Sequence, residues 1–289
     1  MRFALLLLLS TLSISTQAQI DSFRVEIEPY VLNDMPGIHS GAVASYNGRW
    51  IIIGGRVNGL HGFQSPFAFP TSGKNEFAWV IDPISGQKWS SPMSSLPVDM
   101  YESLTSSNIP FCQVENTLYM VGGYGWSDVA NDFKTFHTLS SIDLSCLHDA
   151  IVNQTSLETC IRQISDSVLA ISGAHLKKLE DRFYLVFGHR FDGIYAVNNG
   201  NNAFYHQTYS NEIRSFTITD DGQSLAIGDY QALRDSIQFH RRDYNLVPQI
   251  FPDGSEGFTA FSGVFQYQAN LPYLNTINIS SDSAHVVPN

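Results

Sequence analysis

Trp50-Ile-Ile-Ile-Gly-Gly55 decides how the rest of the chain reads, because the sequence repeats it. It recurs as Leu118-Tyr-Met-Val-Gly-Gly123, and in worn form as Phe183-Tyr-Leu-Val-Phe-Gly188 and Phe258-Thr-Ala-Phe-Ser-Gly263. Each copy is a short apolar run closed by glycine. Such a run, rich in β-branched and aromatic residues, is too short for a buried helix and reads as a buried strand. The closing glycine lets the backbone turn sharply or lie close to a neighbour. The closing glycines lie 68, 65 and 75 residues apart. A strand unit repeated at a nearly constant step points to a propeller or a solenoid.

Outward from the first copy, Ile38 to Tyr46 alternates as a strand, and Asn47-Gly48 is a two-residue hairpin signal leading into Trp50 to Gly55. A loop from Arg56 to Lys74 follows, then strands Glu76 to Asp82 and Lys88 to Met93. Four antiparallel strands with tight turns make one propeller blade. The second unit reads Asn108 to Glu115, Leu118 to Gly123, Phe136 to Leu144 and Cys160 to Ile164, with an insertion from Ser145 to about Glu158. The third reads Gly173 to Leu179, Arg182 to Gly188, Glu212 to Thr219 and Ser224 to Ile227. The fourth reads Tyr244 to Phe251, Gly257 to Phe265 and Tyr273 to Ile279, with Val286-Val287 or the N-terminal run Phe23 to Val31 as its outer strand. The expected fold is all-β: a β-propeller of about four four-stranded antiparallel blades, either closed or an incomplete ring.

Arg2, the apolar run Ala4 to Leu9 and Thr16-Gln-Ala18 fit a secretory signal peptide cleaved after Ala18, which leaves residues 19 to 289 as the propeller. The expected location is extracellular or at the cell surface, with no membrane span. A formal charge of -11 argues against nucleic acid as a partner, which calls for basic patches. Of the three cysteines, Cys146 and Cys160 flank the insertion and form the natural disulfide pair; three free thiols are the alternative.

The chain resembles the kelch-type β-propeller family. The residues that carry this are His39-Ser-Gly41, Gly54-Gly55, Trp79 to Pro83 and Trp89, then Gly122-Gly123. It is also similar to exported bacterial kelch-like repeat proteins. The third and fourth units depart from the pattern, with Gly188 and Gly263 as single glycines and no counterpart to Trp89. The resemblance implies a rigid disc that binds on one face. Among its relatives it includes sugar-active enzymes of the galactose-oxidase and sialic-acid-epimerase types.

The loops after the glycine markers leave the same strand of each unit, so they gather on one face, where loops on a rigid scaffold carry function. They offer Arg56 and His61, then Tyr124 and Trp126, then His189, Arg190 and Tyr195. Aromatic faces with planar polar groups suit sugars. The alternative is that these aromatics seal the blade tops. Arg241, in the run His240 to Asp243, is a candidate for the axial channel, or else a group that fixes carbonyls between blades. Cys146 and His148 lack the second ligand pair that a zinc site needs, so no metal and no cofactor is expected. The leading expectation is a secreted or surface-displayed binding module for glycan or protein ligands; the alternative is a carbohydrate-active enzyme. By this reading Trp126 is partly exposed, while Trp50 and Trp79 lie buried in strands.

Overall fold

The computed structural model describes residues 24–59, 69–195 and 205–288. The chain divides into two units after Met35. Residues 24–35 contain no helix or strand, and Val25, Ile27 and Val31 are exposed.

The second unit is built from β-strands, and every strand pair is antiparallel. The first sheet runs in chain order through β1 (Ala42–Tyr46), β2 (Arg49–Ile53), β3 (Phe77–Ile81) and β4 (Lys88–Pro92). The second contains β5 (Phe111–Val114), β6 (Thr117–Val121), β9 (Thr138–Asp143) and β10 (Ile161–Ser165). Between β6 and β9 a separate hairpin stands out, β7 (Tyr124–Ser127) with β8 (Asp132–Thr135). The third sheet contains β11 (His175–Leu179), β12 (Arg182–Val186), β15 (Glu212–Asp220) and β16 (Leu225–Arg234). It too has a hairpin, β13 (His189–Gly193) with β14 (Tyr205–Tyr209). The fourth contains β17 (Arg242–Ile250), β18 (Glu256–Val264), β19 (Thr276–Ile279) and β20 (Ala284–Val287).

Alternation along the strands lets each inner sheet bury both faces. Ile51 and Ile53 of the first sheet meet Leu118 and Met120 of the second. Tyr119 and Val121, on the other face of that strand, meet Phe183 and Leu185 of the third. Tyr184 and Val186 then meet Phe258 and Ala260 of the fourth. Among the described residues no such cluster joins the fourth sheet to the first. Each buried Leu, Ile or Phe contributes about 1.5–3 kcal/mol, so these three layers hold the sheets in sequence.

Among the described residues there are two α-helices. Helix α1 (Val98–Leu104) links the first to the second. Helix α2 (Leu144–Asn153) occupies the expected insertion and buries Leu144, Leu147 and Ile151 on one side. Asp143 caps it by accepting a hydrogen bond from the Cys146 amide at 3.0 Å. Cys146 and Cys160 are joined in a disulfide across this segment, and Cys112 is a free, half-buried thiol whose pKa burial raises.

Two expectations need correction. The run Phe23 to Val31 is not a strand over its described part, because alternation alone supplies no partner; Ala284–Val287 pairs in register with Thr276–Ile279 and takes the outer edge of the fourth sheet. Trp50 is exposed and Trp79 only half-buried, because both project from the face of the first sheet on which, among the described residues, no other sheet packs. Among the described residues no helix is long and apolar enough to cross a membrane.

Candidate functional site

The repeat seen in sequence is a repeat in backbone geometry. At the ends of β2, β6, β12 and β18 two consecutive residues take left-handed conformations: Gly54-Gly55, Gly122-Gly123, Phe187-Gly188 and Ser262-Gly263. The departure from double glycine therefore changes the residue but keeps the turn. Gly122 shows why glycine is used where it is. A Cβ there would lie 2.1 Å from the carbonyl oxygen of Ile171, while the next amide, Gly123, donates to that same oxygen at 2.8 Å. The glycine pair is the point at which the backbone of the third unit docks onto the second.

The residue after each pair turns back to the chain entering the first strand of its own sheet. Arg56 exchanges backbone hydrogen bonds with His39 at 2.9 and 3.0 Å. Tyr124 does so with Ser107 at 2.9 Å in both directions, and His189 with Ser172 at 2.8 and 3.0 Å. Arg56, Tyr124 and His189 are thus equivalent positions in three repeats; the fourth has Val264, paired with Arg242. The next residues along the entering chain, Ser40, Asn108, Gly173 and Asp243, are all left-handed. The Asn108 amide donates to the Ser40 carbonyl, and the Gly173 amide to the Asn108 carbonyl, each at 2.9 Å. These bonds link the backbones of the first three repeats side by side.

Beside these linked backbones lies a cavity of about 280 Å³. His39, Ser40 and Arg56 line it from the first repeat, Ser107, Asn108 and Tyr124 from the second, Ser172, Gly173 and His189 from the third, and Arg242 and Asp243 from the fourth. Phe69, Phe191 and Tyr195 supply aromatic wall.

The side chains are held firmly. Arg56 is buried, with its guanidinium 3.6 Å above the ring of Phe69; it donates to Asn58 Oδ1 at 3.0 Å and to the Pro70 carbonyl at 2.6 Å. Burial pushes its pKa down to about 10, so it stays charged at neutral pH. The Tyr124 hydroxyl donates to the Gly193 carbonyl at 2.6 Å and accepts from the Tyr195 amide at 3.2 Å, and burial raises its pKa. Arg242 pairs with Asp243 at 3.3 Å and stacks 4.5 Å over Phe265. His189 differs from these. Its Nδ1 is buried without a hydrogen-bond partner among the described residues, and burial followed by the nearby charge of Arg242 lowers its pKa to about 4. At neutral pH it is an uncharged imidazole with an unused polar atom.

Of the residues singled out in sequence, Arg56, Tyr124, His189 and Tyr195 come together at the cavity. Trp126 lies beside it, half-buried, edge-on to Phe133 at 5.3 Å and donating to Asp128 at 2.7 Å. It packs against the same aromatic cluster as Tyr195, as expected of loops sharing one face. Arg190 points away and pairs with Asp192 at 2.6 Å. Arg241 is fully buried outside the cavity; it donates to the carbonyls of Gln238, Ser262 and Asn275 and to Asn275 Oδ1, and its pKa falls to about 10 through burial. His61 lies outside the described residues. Sequence reading passed over Phe69 and Phe191, and from the run His240 to Asp243 it singled out Arg241 where the cavity is lined by Arg242. The hairpins β7–β8 and β13–β14 support this aromatic wall through Tyr124, Phe133, Phe191 and Tyr205, and Thr135 locks them together by donating to the Phe191 carbonyl and accepting from its amide, both at 2.7 Å.

No protein-family model matches the chain, and no curated protein matches it in sequence. Among solved structures it is similar to one titled "Structure of YjhT", with 11% sequence identity and a TM-score of 0.37 over 86% of this chain and 83% of that one.

Proposed function

We propose that the four sheets are blades of a kelch-type β-propeller and that the cavity at their first strands binds a small polar ring compound, of which a sugar is the best fit. The chain then acts as an exported glycan-binding module. The observation that carries this reading is the cavity itself: equivalent positions of three repeats bring Arg56, Tyr124 and His189, and the entering strand of the fourth brings Arg242, to one space walled by Phe69, Phe191 and Tyr195. Its volume of about 280 Å³ is near the lower end for small-molecule sites and suits one sugar ring. Aromatic faces stack on the apolar side of a sugar, while imidazole, guanidinium and hydroxyl groups bond its rim. The neutral His189 supports the same reading, since an unpaired buried polar atom costs about 1–3 kcal/mol unless a ligand or water meets it. Saturation-transfer NMR against a panel of neutral and acidic monosaccharides tests this. Binding of at least one member, lost in Tyr195→Ala, supports the proposal; no transfer from any sugar removes it.

A further inference from the structure

Glycine usually marks a backbone that turns left-handed or a place where a side chain would collide. Neither reason requires a glycine at position 173. Its counterparts in the other repeats, Ser40, Asn108 and Asp243, hold the same left-handed conformation with side chains in place, at φ 57°, 53° and 54° against 64° for Gly173. A Cβ at Gly173 would meet only the His189 ring among the described residues, with Cε1 at 3.6 Å and Nδ1 at 3.9 Å, which is ordinary van der Waals contact. At Gly122 and Gly188 the same atom would stand 2.1 and 2.7 Å from its nearest neighbour. What Gly173 supplies is therefore space. Gly173 and His189 both line the cavity. In the first and fourth repeats the side chain at this position engages a polar neighbour: Ser40 Oγ lies 3.0 Å from His39 Nδ1, and Asp243 pairs with Arg242 at 3.3 Å. The third repeat has no side chain there, and the atom beside the space is His189 Nδ1, buried without a hydrogen-bond partner among the described residues. Phe191 and Tyr209 flank the ring with centroids at 6.1 and 5.9 Å, and Ser172 holds its backbone in both directions, so the imidazole is fixed in this place.

We infer that the ligand of the cavity sets a hydroxyl group in the space over Gly173, hydrogen-bonded to His189 Nδ1, and that this bond decides which sugars bind. The inference rests on the proposal that the cavity takes a sugar. A hydroxyl suits a neutral imidazole in either tautomer, because it both donates and accepts. Burial, then the charge of Arg242, keeps the imidazole neutral, so the group opposite is selected by hydrogen bonding and fit rather than by charge. A site built around a hydroxyl rejects the analogue that lacks it, since the protein atom is then left buried and unpaired. Gly173 acts here as a specificity-determining residue: a side chain in its place would occupy the position of the ligand's own hydroxyl.

The test is saturation-transfer NMR on the full chain with glucose, galactose, mannose, N-acetylglucosamine and glucuronate, followed by the monodeoxy analogues of whichever sugar binds. In wild type one monodeoxy analogue binds roughly tenfold or more weakly than its parent. In His189→Phe the parent and that analogue bind within about twofold of each other, because the partner of the missing hydroxyl is gone. Gly173→Asn and Gly173→Ser fill the space and weaken the parent sugar by roughly tenfold or more. Both place at 173 a residue that the fold already carries in this conformation, and unchanged near-UV circular dichroism shows that they fold; they stand on their own should His189→Phe not. Long-range proton–nitrogen spectra supply a readout besides affinity: the imidazole nitrogen resonance that is absent from His189→Phe shifts when the parent sugar is added to wild type. A sugar that binds wild type and both Gly173 variants alike overturns the inference and leaves the sugar reading standing, as do monodeoxy analogues that all bind within about twofold of the parent. No transfer from any of the five sugars removes the sugar reading, and this inference with it.

Discussion

Gly122→Ala places one methyl group at the docking point between the second and third units. The new Cβ stands 2.1 Å from the Ile171 carbonyl oxygen and 3.0 Å from that of Leu169, both backbone atoms that no rotamer change can move. Separation to ordinary contact needs a shift of more than about 1 Å, at an overpacking cost of about 1–3 kcal/mol. The backbone at this position has φ +61°, where an L side chain adds about 1–2 kcal/mol. The shift also stretches the hydrogen bond from the Gly123 amide to Ile171, worth about 1 kcal/mol. The sum is about 3–6 kcal/mol, a large share of the roughly 5–15 kcal/mol typical of a folded domain. Equilibrium urea denaturation reads it out, with Gly37→Ala as the control, since nothing lies within 4 Å of a Cβ at Gly37. A Gly122→Ala variant within about 0.5 kcal/mol of wild type would refute the claim that glycine is required there by the neighbouring unit.

Two further outcomes follow from buried charge. The pKa of His189 falls from 6.5 to about 4 on folding, so between those values the unfolded chain holds a proton that the folded chain lacks. Its contribution is complete above pH 6.5 and lost as the pH drops toward 4, by at most about 3 kcal/mol; denaturation midpoints across that range should show the loss in wild type and a shallower one in His189→Gln. Arg241→Met leaves the carbonyls of Gln238, Ser262 and Asn275 without their donor inside the protein. It should destabilise by about 3 kcal/mol or more while leaving sugar affinity unchanged where the protein remains folded.

The glycine markers made the strands legible because a buried strand and its closing turn are local events. They also located Arg56, Tyr124 and His189, each the residue after its marker, although only the backbone shows that these positions are equivalent. Arg242 was hidden because the fourth repeat has Val264 at the marker position, and the doublet Arg241-Arg242 gives no sign of which side chain turns inward. Helix α2 carried a readable signal, Asp143 as cap before Leu144, Leu147 and Ile151 at helical spacing, that the strand repeat overshadowed. The exposure of Trp50 could not be read locally, since an apolar residue in a strand has the same sequence signature whether or not another sheet covers it. The aromatic wall depends on two hairpins, far apart in the chain, meeting at Thr135, and no repeat encodes that contact.

The most direct test of a ligand site in the cavity is calorimetric titration of a sugar that binds, with wild type, Arg242→Met and Arg190→Met in parallel. Arg242 lines the cavity, whereas Arg190 follows a marker glycine closely in sequence but turns outward to Asp192. The account predicts roughly tenfold weaker binding for Arg242→Met, about 1.4 kcal/mol, and affinity within about twofold of wild type for Arg190→Met. Equal affinity in Arg242→Met, or loss confined to Arg190→Met, would contradict it and move the site off the cavity.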